Sequence, residues 1–207
     1  MSDLSPVCRV VVLVSGSGSN LQAIIDQGLR ADSAYKVVAV VANRPAAYGL
    51  TRAVDAGIDA VTIDHTSYPS RDAFDAVLAD AIEGYSPDLV LLAGFMRILT
   101  PGFVSRFKAR LMNIHPSLLP KYPGLHTHQR ALDAGDREAG CTVHFVTEEL
   151  DGGPPIIQAR VPVKDDDTAD TLAQRVLVQE HQIYPLAATW FAEDRLALKA
   201  NRALLDG

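Results

Sequence analysis

The stretch Arg9–Leu29, RVVVLVSGSGSNLQAIIDQGL, decides the fold. Its opening RVVVLV is a short run of β-branched residues, the pattern of a strand buried on both faces. From Ser19 onward the apolar residues Leu21, Ile24, Ile25 and Leu29 recur at helical spacing. Between them lies SGSGSN, Ser15–Asn20, a strand-to-helix loop whose helix-start N–H groups favour an anion. The loop can be read as a dinucleotide fingerprint, as a cradle for one phosphate, or as a turn capped by Ser or Asn. The first reading is poor. Gly16 and Gly18 fit the first two glycines of G-x-G-x-x-G, but Leu21 stands at the third position. The second strand ends AVVANRP with no acid for a ribose, and only Arg44 speaks for a phosphorylated dinucleotide. No Gly-Lys-Ser/Thr follows, which excludes a Walker loop. The single-phosphate cradle is the best-carried reading, and the capped turn stays open.

Working outward, apolar runs alternate with helix-like segments. YKVVAVVA (Tyr35–Ala42), DAVTI (Asp59–Ile63), PDLVLLAGF (Pro87–Phe95) and RLMNIH (Arg110–His115) read as strands. Helices are expected near Ala47–Ala56 and over RDAFDAVLADAIEGY, ending at Gly84, with a short turn or helix near Pro101–Phe107. That alternation predicts an α/β, three-layer, Rossmann-like fold with a mostly parallel sheet. TVHFV (Thr142–Val146) and PIIQARVPV (Pro155–Val163) flank the turn-rich DGGPP and predict an antiparallel addition near the C-terminus. A long C-terminal helix follows from about Ala169 to Phe191, capped by Thr168 or Asp167. Pro185 is expected to kink that helix or end its regular part. No repeat, low-complexity tract or linker interrupts residues 1–207, so one domain is expected.

Composition narrows the function classes. The chain has 207 residues, 48% hydrophobic and 21% charged, in the range of ordinary globular proteins. Its net charge of −6 gives no basic footprint for nucleic acid, so an anionic substrate must be met by local groups. Cys8 and Cys141 lie far apart and read as small apolar packing residues. The opening MSDLSPVCR lacks the apolar core of a signal peptide, and no run approaches the roughly 18 residues of a membrane span. A soluble, cytoplasmic protein with no membrane partner is expected.

The most informative polar residues lie in RLMNIHPSLLPKYPGLHTH. Alternation along the strand puts Asn113 and His115 on one side, roughly 6–7 Å apart, with Met112 and Ile114 on the other. They fall at the C-terminal end of a central strand, where open α/β sheets bind ligands. A structural His–Asn pair is the bland alternative. The Pro- and Gly-rich SLLPKYPG, which could close over a ligand, favours function. A histidine beside an amide supplies an acid/base group and a donor for a developing oxyanion. Neither Ser117 nor a cysteine sits in a nucleophile motif, which points to direct transfer between two bound substrates. Asp151 in LDGGPP is the natural carboxylate to tune the histidine, with Asp133 and Asp136 also available. His126 and His128, with His115 or His144, admit a zinc reading. Without HExxH or cysteine partners no metal is expected. On the last helix Leu172, Val176, Glu180, Ile183, Ala187 and Trp190 share one stripe. Glu180 is therefore a carboxylate on an apolar face, needing a salt bridge or a ligand hydroxyl or amine.

Taken together, VLVSGSGSNLQAIID, LAGFMRIL, LMNIHPSLLPKYPGLHTHQRAL, VHFVTEELDGGP and QEHQIYP resemble the phosphoribosylglycinamide formyltransferases, folate-dependent enzymes of purine biosynthesis. The resemblance implies transfer of a formyl group from 10-formyltetrahydrofolate, a co-substrate, to the amine of glycinamide ribonucleotide. It implies Asn113 as oxyanion donor, His115 as proton donor, and Asp151 as the aspartate that supports the histidine and relays protons through water. Gly18, Ser19 and Asn20 match the substrate-phosphate loop, and Glu180 the acid that holds the ribose. Arg71, Met96, Arg97, Ile98, Leu99 and Asn113 match the folate side, with the Thr147–Asp151 loop enclosing the pterin. It divides the domain into a phosphate-binding half, about 8–100, and a catalytic and folate half, about 101–207. One departure stands out: Leu177, three before Glu180, replaces a basic residue found in some members. Rivals are formyltetrahydrofolate deformylase, a hydrolase, and methionyl-tRNA formyltransferase, which are similar over the catalytic region. A non-catalytic nucleotide-binding module would explain the loop but not Asn113 and His115. The sequence leaves open the oligomeric state, a homodimer included, and the isomer of Leu119–Pro120.

Overall fold

The computed structural model describes residues 7–207, so most of the opening segment read against a signal peptide lies outside the described residues. The valine run becomes β1 (Cys8–Val14), and the segment after the glycine loop becomes α1 (Ser19–Gly28). Next come β2 (Tyr35–Ala42), α2 (Tyr48–Asp55), β3 (Asp59–Thr62), α3 (Arg71–Glu83) and β4 (Leu89–Leu92). The second half holds α4 (Pro101–Arg106), β5 (Leu111–His115), α5 (Thr127–Asp133), β6 (Glu138–Phe145), β7 (Pro155–Pro162) and α6 (Ala169–Ala192). The seven strands form one sheet in the order β3-β2-β1-β4-β5-β6-β7. β1 to β5 pair in parallel, while β6 and β7 add antiparallel at one edge.

Strands buried on both faces need helices on both, and the core divides accordingly. On one face Val10, Val12 and Val14 pack with Leu21 and Ile24 of α1 and Tyr184 of α6. On the other, Val11 and Leu13 meet Phe74, Leu78 and Ile82 of α3 and Phe103 of α4. The result is the expected three-layer α/β architecture. Cys8 and Cys141 sit in the first cluster, and burial pushes each thiol up to about 12.

The structure departs from the sequence reading in several places. Pro185 does not end the last helix, which runs on to Ala192. Its ring removes the N–H that would bond to the His181 carbonyl, but buried Tyr184, Ala187 and Ala188 hold the following turns against the sheet. Thr168, not Asp167, caps α6 in a reciprocal box with Thr171, whereas Asp167 pairs with Arg175 at 2.7 Å. β6 begins at Glu138, four residues before the expected Thr142. Gly140 allows this, since a Cβ there would run into the Ala159 carbonyl of β7. α5 and a terminal hairpin, β8 (Leu196–Lys199) with β9 (Arg202–Leu205), carry no clear pattern in the sequence. Among the described residues no helix is long and apolar enough to cross a membrane.

One side chain fixes the long helix over β4 and β5. The fully buried Tyr184 hydroxyl donates toward the carbonyls of Leu92, at 2.8 Å, and Met112, at 3.1 Å, on the neighbouring strands β4 and β5. Tyr184→Phe should therefore cost about 1–2 kcal/mol, the usual worth of a buried hydrogen bond. Urea unfolding checks this: the midpoint should fall with the slope unchanged.

Candidate active site

β1 and β4 are neighbours in the sheet, yet the chain leaves β1 toward β2 and reaches β4 only after α3. The strand order reverses between them and opens a crevice at their C-terminal ends. The glycine loop lies at this switch point. Gly18 has φ 71°, a left-handed conformation, and a Cβ there would stand 2.9 Å from the Gly49 backbone. Only glycine meets both demands. Gly18 is also the N-cap of α1, with no side-chain hydrogen bond capping the helix, so the capped-turn reading fails. The first-turn N–H groups face a cavity lined by Gly16, Gly18, Ser19, Asn20, Arg44 and Met96.

Glu180 reaches this loop from α6. Its Oε2 accepts from Asn20 Nδ2 at 2.7 Å, and no cation pairs with it among the described residues. Burial pushes the carboxyl up, and the Asn20 hydrogen bond opposes the shift. The Asn20 Oδ1 is buried with no partner of its own. Two predicted nucleotide residues, 160 positions apart, thus form one polar pair, of which Asn20 lines the cavity.

The catalytic candidates come together at the end of β5. Of the three carboxylates, Asp151 is the one brought to the histidine: its Oδ2 stands 3.4 Å from His115 Nδ1. Asp136 is held by Lys121 and Tyr122, and Asp133 by Gln129. His115 Nε2 lies 2.8 Å from the Tyr122 carbonyl, an acceptor only, so that nitrogen carries a proton. Asp151, at φ 52°, accepts a hydrogen bond at Oδ2 from the Gly124 N–H at 2.8 Å. The SLLPKYPG segment therefore supplies both backbone groups that orient the pair. Its Leu119–Pro120 peptide is cis.

A functional residue that sequence reasoning did not single out in this role is His144, opposite Asn113 in the β5–β6 register. Its Nδ1 donates to the Phe145 carbonyl at 2.9 Å, which leaves Nε2 bare and 3.3 Å from Asn113 Nδ2. Burial pushes its imidazole down, so the neutral form is favoured. One N–H of the Asn113 amide is thereby spoken for, and the other stays free toward the cleft. The signal available in sequence was the alternation of VHFV, which places Val143 in the core and His144 on the Asn113 side.

A second cavity is lined by Arg97, Ile98, Leu99, Asn113 and the Thr147–Asp151 loop, bringing together most of the residues expected on the folate side. Met96 lines the glycine-loop cavity instead, and Arg71, exposed at the start of α3, lines neither. Arg97 lies 4.8 Å from the centre of the Phe74 ring. Buried Asp75 accepts the Thr100 N–H at 2.6 Å and so anchors the end of this loop. No three His, Cys, Asp or Glu side chains among the described residues converge as metal ligands would.

The chain is similar in sequence and in fold to known proteins. The formyl transferase family model matches residues 8–188. The chain is 56% identical over 199 residues to the phosphoribosylglycinamide formyltransferase of Escherichia coli K12, covering 96% of this chain and 94% of that protein. It is 45% identical over 193 residues to the human trifunctional purine biosynthetic protein adenosine-3, covering 93% of this chain and 19% of that one. The crystal structure of glycinamide ribonucleotide transformylase 1 from Symbiobacterium toebii superposes with a TM-score of 0.93 at 49% identity, covering 96% and 94% of the two chains.

Glu180 yields a stability test. Because burial raises its carboxyl, its contribution to stability is present below the ordinary glutamate value and lost as pH rises through the folded value. At pH 7–8, above the ordinary glutamate value, the raised carboxyl therefore costs stability. Glu180→Gln should raise Tm there by about 2–4 °C, the equivalent of roughly 1 kcal/mol at this size. Below about pH 4.5, where the acid is neutral in both states, the gain should vanish. Calorimetric Tm against pH measures both.

Proposed function

This chain belongs to the formyl transferase family, and we propose that it transfers the formyl group of 10-formyltetrahydrofolate to the amine of glycinamide ribonucleotide. The single observation that carries this reading is that two cavities adjoin the C-terminal end of β4, with Asn113 and the His115-paired Asp151 lining the second. One has the open start of α1, and the other has Arg97–Leu99 and the Thr147–Asp151 loop. In this reading the phosphomonoester sits on the N–H groups of Gly18, Ser19 and Asn20, and Glu180 holds a ribose hydroxyl. Arg44, exposed and lining the same cavity, supplies the cation that Leu177 does not. The pterin takes the second cavity, and the protein works on small molecules in the cytoplasm. Residues 8–100 then carry the phosphate site, and residues 101–207 the catalytic groups, within one domain. The folate loop at Met96–Leu99 closes the first half rather than belonging to the second.

The chemistry needs no enzyme nucleophile. An α-amine with a reference pKa of about 7.7–8.0 is partly neutral at pH 7 and can attack the formyl carbon directly. The new C–N bond forms as the carbonyl electrons move to oxygen, and the free Asn113 N–H meets that oxyanion. As the bond to the folate N10 breaks, its electron pair takes a proton from His115. The attacking amine gives one up, through water held by Asp151, so protons balance over the cycle. The relatives lend the hydrolase alternative no support, and the chain's net charge of −6 gives tRNA no electrostatic attraction.

An assay of 10-formyltetrahydrofolate consumption, with and without the ribonucleotide, tests the reading. Consumption should require the acceptor; formate release without it would overturn the transferase in favour of the hydrolase. Asn113→Ala and His115→Ala should each lower kcat by about 10²–10³-fold with substrate KM within a few-fold. Arg44→Ala should leave kcat near that of the unaltered protein and raise KM for the ribonucleotide about tenfold, as loss of one charge-assisted hydrogen bond would.

A further inference from the structure

Ser15 follows β1 and opens the glycine loop, and no step above uses it. It is 6% exposed, and its hydroxyl joins the ends of three strands. Ser15 Oγ donates to Asn43 Oδ1 at 2.6 Å and accepts the Met96 N–H at 2.8 Å. Its own N–H donates to the Gly94 carbonyl at 3.2 Å. Asn43, 1% exposed at the end of β2, is held in turn by His65, whose Nδ1 donates to the Asn43 carbonyl at 2.8 Å.

The direction of this chain admits no alternative at Ser15. A backbone N–H can only donate and an amide oxygen can only accept, so the single hydroxyl proton belongs to Asn43 and a lone pair to Met96. One hydroxyl is therefore shared by two loops. The loop after β1 lines the glycine-loop cavity, and the loop after β4 continues from Met96 into Arg97–Leu99 of the second cavity. Both spring from the strand pair at which the sheet order reverses.

We propose that Ser15 is a positioning residue for formyl transfer, its hydroxyl setting the spacing between the nucleotide loop and the folate loop. This rests on the transferase reading above. Ser15 acts through two loops rather than on the reacting atoms. Its loss should disturb the approach of amine to formyl carbon while each loop still binds its own substrate. Displacements of about 1 Å at reacting centres cost on the order of 10²-fold in rate, far more than they cost in binding.

The test uses the full chain with Ser15→Ala and with Ser15→Cys, the latter nearly isosteric and a weak acceptor. For each, kcat, both KM values, Tm and the dissociation constants of ribonucleotide and folate are measured separately. The expected result is a fall in kcat of about 10–100-fold per folded molecule, with both dissociation constants within about threefold of the unaltered protein. A merely structural role would lower Tm and leave that kcat and its split from KM unmoved. Unchanged kcat in both variants overturns the proposal. So does a rise in KM for one substrate alone, which would tie Ser15 to a single loop, and so does failure of both variants to fold. If the unaltered protein does not transfer formyl groups, the transferase reading itself falls and takes this one with it; activity there with unchanged variants sinks the Ser15 role only.

Discussion

The reversal of strand order between β1 and β4 is the constraint on which the rest of the site depends. Two parallel neighbours whose chains depart in opposite directions leave a gap that no connection fills. The glycine loop occupies one lip and the Met96–Leu99 loop the other, while β5, next to β4, brings Asn113 and His115 to the same end. Right-handed crossovers and helices on both faces then follow from burying the valine-rich strands. The antiparallel β6 is needed for a separate reason. Pairing Asn113 with His144 and His115 with Thr142 gives β5 polar neighbours instead of a helix-covered edge.

The site is assembled from buried polar pairs whose members are remote in sequence. Asn20 meets Glu180 and His115 meets Asp151, while Asn113 and His144 face each other across the strands. A buried polar group without a partner costs roughly 1–3 kcal/mol, so each pair is held together by what its separation would cost. The pairs remain incomplete. Asn20 Oδ1 has no partner, and the second Asn113 N–H is free. A buried polar atom left without a partner is costly in a well-packed core, and each such atom calls for a reason in the structure around it.

How much of this was legible follows from the range of the interactions. Period-two alternation in LMNIH is local, so Asn113 and His115 could be placed on one side from sequence. Gly18 could be assigned to a loop, and Glu180 to a buried stripe, on equally local grounds. The choice of Asp151 over Asp133 and Asp136 could not be made that way, since the Lys121, Tyr122 and Gln129 contacts that remove the other two are tertiary. Pro185 misleads because propensity is local, whereas burial of Ala187 and Ala188 overrides it. Gly140 hides the first half of β6 because its reason, the close Ala159 carbonyl, belongs to another strand. Ser15 gave no signal at all, being one serine in a serine-rich loop. The resemblance to known formyltransferases supplied roles that the residue pattern alone left open.

The orientation of the His115–Asp151 pair depends on one segment. The Tyr122 carbonyl fixes the proton on His115 Nε2, and the Gly124 N–H holds Asp151 Oδ2. Both are backbone groups of the loop that follows Pro116, two residues apart. With Nε2 so committed, the nitrogen that faces Asp151 at 3.4 Å is the one whose protonation can change without breaking the bond to Tyr122. The aspartate cannot turn away without losing Gly124. A side-chain pair alone would sample many geometries; a carbonyl and an N–H two residues apart impose a common frame. Thr142 fastens that frame to the sheet, donating to the Ser117 carbonyl at 2.7 Å and accepting the Leu119 N–H at 3.1 Å. Thr142 stands opposite His115 in the β5–β6 register, so the strand that presents the histidine and the loop that aims it are tied to one residue.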